Sequence, residues 1–167
     1  MDHFALKSDS LHKSMQSGKL HRYFMGYTAS KTHLMVGLGA SSISDSWYGF
    51  AQNVKSLEEY QHLVENDIIP IFRGHILTEE DQIVRRHVLN LMCGFKTSWG
   101  TYRGHLPELD SILDRLMEMK SDGLIEITTG SIIITEKGRP FVRNICMAFD
   151  LHLQRKAPDT RLFSMTV

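Results

Sequence analysis

The stretch from Thr78 to Arg155 constrains the fold most. Thr78-Glu79-Glu80-Asp81 offers a hydroxyl cap followed by three acids. A helix N-terminus favours both, because its first N–H groups lack partners and its dipole end is positive. Val84, Val88, Leu91, Met92 and Phe95 then recur at helical spacing, which predicts one helix to about Phe95 with a single apolar face. Pro107 opens a second helix, with Leu109, Ile112, Leu113, Leu116 and Met117 on its stripe and Asp122-Gly123 as its stop. Leu124 to Thr128 and Ser131 to Thr135 read as a two-stranded hairpin around Thr129-Gly130. A last helix is expected over Glu136 to Arg155, with Val142, Ile145, Cys146, Phe149 and Leu153 inward. Pro140 is tolerable there only near the helix start, where its missing N–H costs nothing. Helix, turn, helix, hairpin, helix is the order of a winged-helix unit.

The first half is less periodic. Met1 to Ala5 resembles the end of a buried strand, which suggests that something precedes it. Ser8 to Gly18 predicts a short helix with Ser8 or Ser10 as cap and Gly18 as stop. Lys19 to Ser30 is expected to be extended or looped. His33 to Gly39 is a short apolar run ending in glycines, which suits a buried strand. Ser56 opens a helix to about Asn66, with Glu59 in capping-box position. The expected organisation is a first unit over 1–55, a linker helix and extended segment over 56–77, a compact module over 78–155, and an irregular tail over 156–167.

Composition excludes several classes of function. The 167 residues carry 19 basic and 19 acidic side chains, so the net charge gives no electrostatic case for nucleic acid or an anionic membrane. No apolar run approaches the ~20 residues that a membrane helix needs. Two separated cysteines make no disulfide framework or metal spacing, which points to a reducing, cytoplasmic setting. Cys93 and Cys146 fall on predicted apolar helix faces and are expected to be small buried hydrophobes.

A DNA-binding winged helix is weakened further by its recognition helix. Glu108, Asp110, Asp114, Glu118 and Asp122 outnumber Arg115 and Lys120 there, and phosphate neutralisation normally dominates such binding. Lys137, Arg139 and Arg143 could still make a modest basic patch. The histidines, among them His3, His21, His33, His75, His87 and His105, show no metalloprotease spacing, and no metal ligand is expected. Asp2-His3 is the best acid–base pair, with a capping aspartate beside a half-buried histidine as the commoner arrangement. Gly37-Leu38-Gly39-Ala40-Ser41-Ser42 has two readings. Its small residues could admit a ligand to the main chain, or let a strand pack closely on a neighbour, and the second is the commoner.

Several segments carry a resemblance in a fixed order: Leu20-His21-Arg22-Tyr23-Phe24-Met25-Gly26-Tyr27-Thr28, Gly37-Leu38-Gly39-Ala40-Ser41-Ser42-Ile43-Ser44, Tyr48 to Asn53, Thr78 to Phe95, Lys137-Gly138-Arg139 and Arg143 to Asp150. Met1 to Ala5 also looks like a strand-end motif, and Phe163-Ser164 like closing residues. Together they resemble the oxygen-independent coproporphyrinogen III oxidases, whose patterns run LHRNFQGYT, G-x-G-x-S-x-I-S, YAQN, T-x-x-D-x-x-R-R, KGR and RNICMxFD.

The resemblance implies an α+β fold: a remnant of the last barrel strand region, then a mostly helical, winged-helix-like C-terminal domain with a two-stranded hairpin. It implies a parent enzyme whose partial β/α barrel carries a C-x-x-x-C-x-x-C loop, a four-iron, four-sulfur cluster and S-adenosylmethionine. Such an enzyme removes hydrogen from two propionates of coproporphyrinogen III through a 5′-deoxyadenosyl radical. Each propionate then loses carbon dioxide to become a vinyl, giving protoporphyrinogen IX. The cysteine loop is absent here, so this chain is expected to be inactive alone and to hold no catalytic residue.

By the same resemblance Ile43 contacts S-adenosylmethionine, and Gly39 and Ser41 fit a main-chain approach to it. Met25 stands where the family often has glutamine, whose amide hydrogen bonds methionine cannot make. Asp2, His3 and Arg22 are substrate-binding candidates, and Arg139 and Arg143 could also meet propionates, although structural ion pairing is the commoner role. The implied partners are the porphyrinogen and the missing barrel, in a monomeric parent without nucleic acid or membrane. The alternative is a free-standing winged-helix binding or interaction domain without catalysis.

Overall fold

The computed structural model describes residues 5–24, 26–99, 106 and 108–155. Its longest element, α3 (Glu79–Gly94), begins as the cap residues predict. The Asp81 N–H donates to the Thr78 hydroxyl at 3.2 Å, and the Thr78 N–H returns a bond to the Asp81 carboxylate at 2.9 Å. Phe95 ends the helix in the left-handed conformation.

Three antiparallel strands follow rather than two. β8 (Ile125–Ile127) and β9 (Ser131–Ile134) form the expected hairpin, and β7 (Lys96–Ser98) pairs along the free side of β9. β7 has three polar residues and hence no apolar alternation to reveal it, yet its central Thr97 is buried and bonded to His87 Nδ1 at 2.8 Å.

Both later helices are broken. The second divides at Leu116 into α4 (Leu109–Arg115) and α5 (Met117–Ser121); Pro107, its predicted first residue, lies outside the described residues. The last becomes one 3₁₀ turn (Arg139–Phe141), α6 (Val142–Met147) and α7 (Leu151–Arg155). Pro140 sits in the 3₁₀ turn, where its ring is tolerated. Asp150 restarts the chain by accepting the Leu153 N–H at 2.8 Å, a cap inside what the pattern presents as one helix. Leu91, Ile112, Leu116, Ile125, Ile132, Ile145 and Phe149 close one core among these elements.

The first half is assembled differently. α1 (Ser10–Gln16) is capped by Asp9, not by Ser8 or Ser10, because its carboxylate reaches the Leu11 N–H at 2.7 Å. β1 (His21–Tyr23) and β2 (Gly26–Thr28) pair as a small hairpin. β3 (Leu34–Met35), β4 (Ile43–Ser46), β5 (Gly49–Asn53) and β6 (Ile71–Ile76) form an antiparallel sheet in that order, with α2 (Leu57–Glu65) between the last two in sequence. Ser56 caps α2 by accepting the Glu59 N–H.

The buried strand expected over His33–Gly39 is instead a two-residue edge strand. Leu34, Val36 and Leu38 face outward, because β3 is the sheet's outermost strand. The fold is therefore mixed α+β, with small antiparallel sheets and no closed barrel among the described residues.

Candidate functional site

Register sorts the central sheet into two faces. Ser44, Ser46, Gly49, Ala51 and Gly74 share one side, while Asp45, Phe50 and His75 share the other, toward α3. From α3, Arg85 reaches across. Its two terminal nitrogens donate to the Asp45 carboxylate and the Ser46 carbonyl, each at 2.6 Å, and its plane lies over the rings of Phe50 and Trp47. Asp45 is 3% exposed, so this pair is shielded from water.

Beside Arg85 lies a cavity of about 530 Å³. Phe50, Val84, Val88, Met92 and Leu151 give it apolar walls, Arg22, Arg85 and Arg143 line it with positive charge, and Glu80, Asp81 and Asp150 with negative. The Arg22 guanidinium stacks on Tyr27 at 4.9 Å, and one of its terminal nitrogens is buried without a hydrogen-bond partner among the described residues. A buried N–H of that kind costs free energy until an acceptor arrives. Burial pushes the Tyr27 phenol up despite the Arg22 charge, so it stays protonated and donates to the Met92 carbonyl at 3.2 Å. The apolar walls with the Arg22 N–H suit an apolar body bearing a hydrogen-bond acceptor such as a carboxylate.

The predicted residues do not all meet here. Arg22 lines the cavity; Ile43, Gly39 and Ser41 stand apart at the other end of β4. Met25, Asp2 and His3 lie outside the described residues. Arg139 stacks on Phe95 and pairs with Glu136, which is a structural role.

Around Ile43 the backbone is tightly folded. A Cβ on Gly37 would sit 2.8 Å from the Ile43 carbonyl group, so glycine is needed there for close packing. The N–H groups of Gly37, Gly39 and Ser41 donate to Ser44 Oγ, the Tyr60 hydroxyl and the Val54 carbonyl. Asn53 bonds the carbonyls of Gly37 and Gly39 at 3.1 and 2.9 Å. What this turn offers a ligand is its surface and the half-buried Ile43 side chain.

An iron–sulfur cluster needs thiolates. Burial lifts Cys93 to about 11 and Cys146 to about 12, against the pull of Arg22. These two thiols do not fit a cluster, and they are the only cysteines in the chain.

One grouping was invisible in the sequence: His75, Asp81 and His152 converge at the cavity rim from β6, α3 and α7. Separations of 6 and 71 residues leave no spacing signal.

Comparisons with curated proteins and with solved structures point to the same relatives. The chain is 37% identical over 164 residues to an oxygen-independent coproporphyrinogen III oxidase of Salmonella typhimurium, covering 94% of this chain and 35% of that protein. It is 32% identical over 183 residues to its Synechocystis counterpart, covering 100% and 38%. A solved structure, described as the Escherichia coli coproporphyrinogen III oxidase and a radical SAM enzyme, superposes with a TM-score of 0.81 at 35% identity, over 92% of this chain and 36% of that one. The chain thus spans little more than a third of the length of these relatives. No protein-family model matches it.

Proposed function

We propose that this chain, a homologue of oxygen-independent coproporphyrinogen III oxidase, forms the cover and one cofactor-facing edge of such an enzyme. The reaction is the oxidative decarboxylation of two propionates of coproporphyrinogen III to vinyls, giving protoporphyrinogen IX in cytoplasmic haem synthesis. S-adenosylmethionine and a four-iron, four-sulfur cluster supply its radical chemistry. The cluster's ligands belong to a barrel portion outside this chain, which by itself is inactive.

One observation carries the reading. Among the described residues, fifteen of sixteen buried hydrophobics lie from Leu91 to Leu151, and thirteen of sixteen exposed large hydrophobics lie from Leu6 to Ile76. Exposed apolar surface on that scale marks a missing partner surface. The first region supplies the barrel-facing side, with Ile43 toward S-adenosylmethionine and Gly39 and Ser41 shaping its turn. By their motifs Asp2 and His3 are further candidates for the substrate, and Met25 for the cofactor. Arg22 turns its unpaired N–H to a propionate in the cavity, and Arg143 stands at the same wall.

The helices α3 to α5 with the β7–β9–β8 sheet make the winged-helix part of the cover. Asp110, Asp114 and Glu118 are exposed on its second helix and would repel phosphates. No described helix is long and apolar enough to cross a membrane. The working enzyme is a monomer once the barrel is joined.

The test mixes the 167-residue chain, anaerobically, with the portion of the Salmonella relative that it does not match. Co-purification and S-adenosylmethionine-dependent formation of protoporphyrinogen IX are expected, with neither part active alone. A stable four-iron signal on this chain after reconstitution, or salt-sensitive DNA binding in a gel shift, would overturn the proposal.

A further inference from the structure

Where the last helix crosses the rim of the cavity, three ligand-type side chains meet. His75 comes from the sheet, Asp81 from the first turn of α3 and His152 from α7. One donor atom from each lies within 4.8 Å of the others. His152 Nε2 is 2.7 Å from Asp81 Oδ1, and His75 Nε2 is 3.7 Å from Oδ2. The two imidazoles stand edge to face with centroids 6.2 Å apart.

The carboxylate between them is prepared for a cation. The Thr78 N–H and the Thr78 hydroxyl donate to it, and the His152 ring lies 2.7 Å from its other oxygen. Both Thr78 donors fall on Oδ2, at 2.9 and 2.8 Å, so the group's orientation is fixed from behind. The Asp81 side chain is only 10% exposed, whereas His75 and His152 are 56% and 59% exposed and free to adjust.

We propose that His75, Asp81 and His152 bind a divalent transition-metal ion of the zinc class. Two imidazoles and a carboxylate suit zinc or cobalt far better than calcium or magnesium, which prefer all-oxygen sites. Tetrahedral ligands at about 2.0–2.1 Å stand roughly 3.3 Å from one another. His152 would withdraw by about 0.6 Å and the widest of the three separations, up to 4.8 Å, would close by up to about 1.5 Å, movements that exposed rings can make. A remaining position is open to water. Such an ion would tie sheet, α3 and α7 together and hold the last helix across the cavity. This inference does not depend on the porphyrin reading.

The test is a titration of Zn²⁺, and of Co²⁺ as a visible probe, into the full 167-residue chain at neutral pH. One equivalent should bind, give a cobalt d–d band and raise the melting temperature. His75→Ala and His152→Ala should each weaken binding by at least about tenfold. His62→Ala, on exposed α2, should change nothing. Circular dichroism of each variant checks that the fold is kept. Equal affinity in the wild-type chain and in both His75→Ala and His152→Ala, or binding only at millimolar metal, would overturn the proposal.

Discussion

Residues 5–76 and residues 78–155 contain the same kinds of element, yet they bury different things. The later region encloses Phe149, Leu91, Ile112 and Ile132 completely. The earlier one fully shelters a single described hydrophobic, Val54, together with two polar side chains, Asp45 and Asn53. Its order comes from directed bonds: Asn53 onto two glycine carbonyls, and Arg85 onto Asp45. Apolar burial supplies most of the free energy of folding, while a hydrogen bond adds about 1 kcal/mol net. The difference teaches that the first region is shaped by polar contacts, one of them reaching in from α3, and must borrow its stability. It borrows some from α3, and its outward Leu34, Val36, Leu38 and Ile76 leave room for more.

The largest effect expected is in the later core. Phe149→Ala should cost roughly 3–5 kcal/mol by urea unfolding, because the side chain is wholly enclosed. A loss below about 1 kcal/mol would mean that this region is no better packed than the other.

Next is the link between regions. Arg85→Met removes one partner of a shielded ion pair, at a cost of about 3 kcal/mol. Hydrogen exchange should then quicken in the β3–β6 sheet while the Leu91–Leu151 core stays protected. Uniform quickening would show that the two regions unfold as one.

Acid gives a smaller effect with a definite sign. Asp81 titrates at about 2 in the folded chain and near 3.8 when unfolded, so the unfolded chain takes up its proton first as pH falls. Its contribution is complete above pH 4 or so and is lost as the pH falls through about 2. The melting temperature of the wild-type chain should therefore drop toward that of Asp81→Asn across this window. A difference that does not narrow there would remove Asp81 from the fastening of α3 to α7.

Smallest of all, Leu38→Ala and Ile76→Ala should change stability by less than about 0.5 kcal/mol, since both side chains are more than four-fifths exposed. They should lower the binding of a hydrophobic dye. A large loss in the chain alone would mean that the exposed face is already covered.

Legibility followed the same division. The cap at Thr78, the face of α3 and the β8–β9 hairpin could be read, because each rests on neighbours a few residues apart. Breaks at Leu116 and around Phe149 could not, since the apolar spacing continues through them and only Asp150 marks a restart. The run His33–Gly39 misled for the opposite reason: apolar residues predict burial, but an edge strand places them outward. At the site, the motif order singled out Arg22, which lines the cavity, and the turn before Ile43, which does not. It could not show that Gly37 is glycine because Ile43 presses on it, nor that residues 40 and 71 positions apart would bond as Asp45–Arg85 and Asp81–His152 do.

The Arg85 bridge has a mechanical side. A cavity lies beside it, so the sheet and α3 are not in contact across their full width. The guanidinium therefore acts as a strut: its reach sets the width of the gap as well as the bond across it. Lysine in its place could carry the charge but not the fork that holds Asp45 and the Ser46 carbonyl together. The walls would then be free to rotate about a single point, and a guest that needs a slot of fixed width would lose it before either wall unfolded.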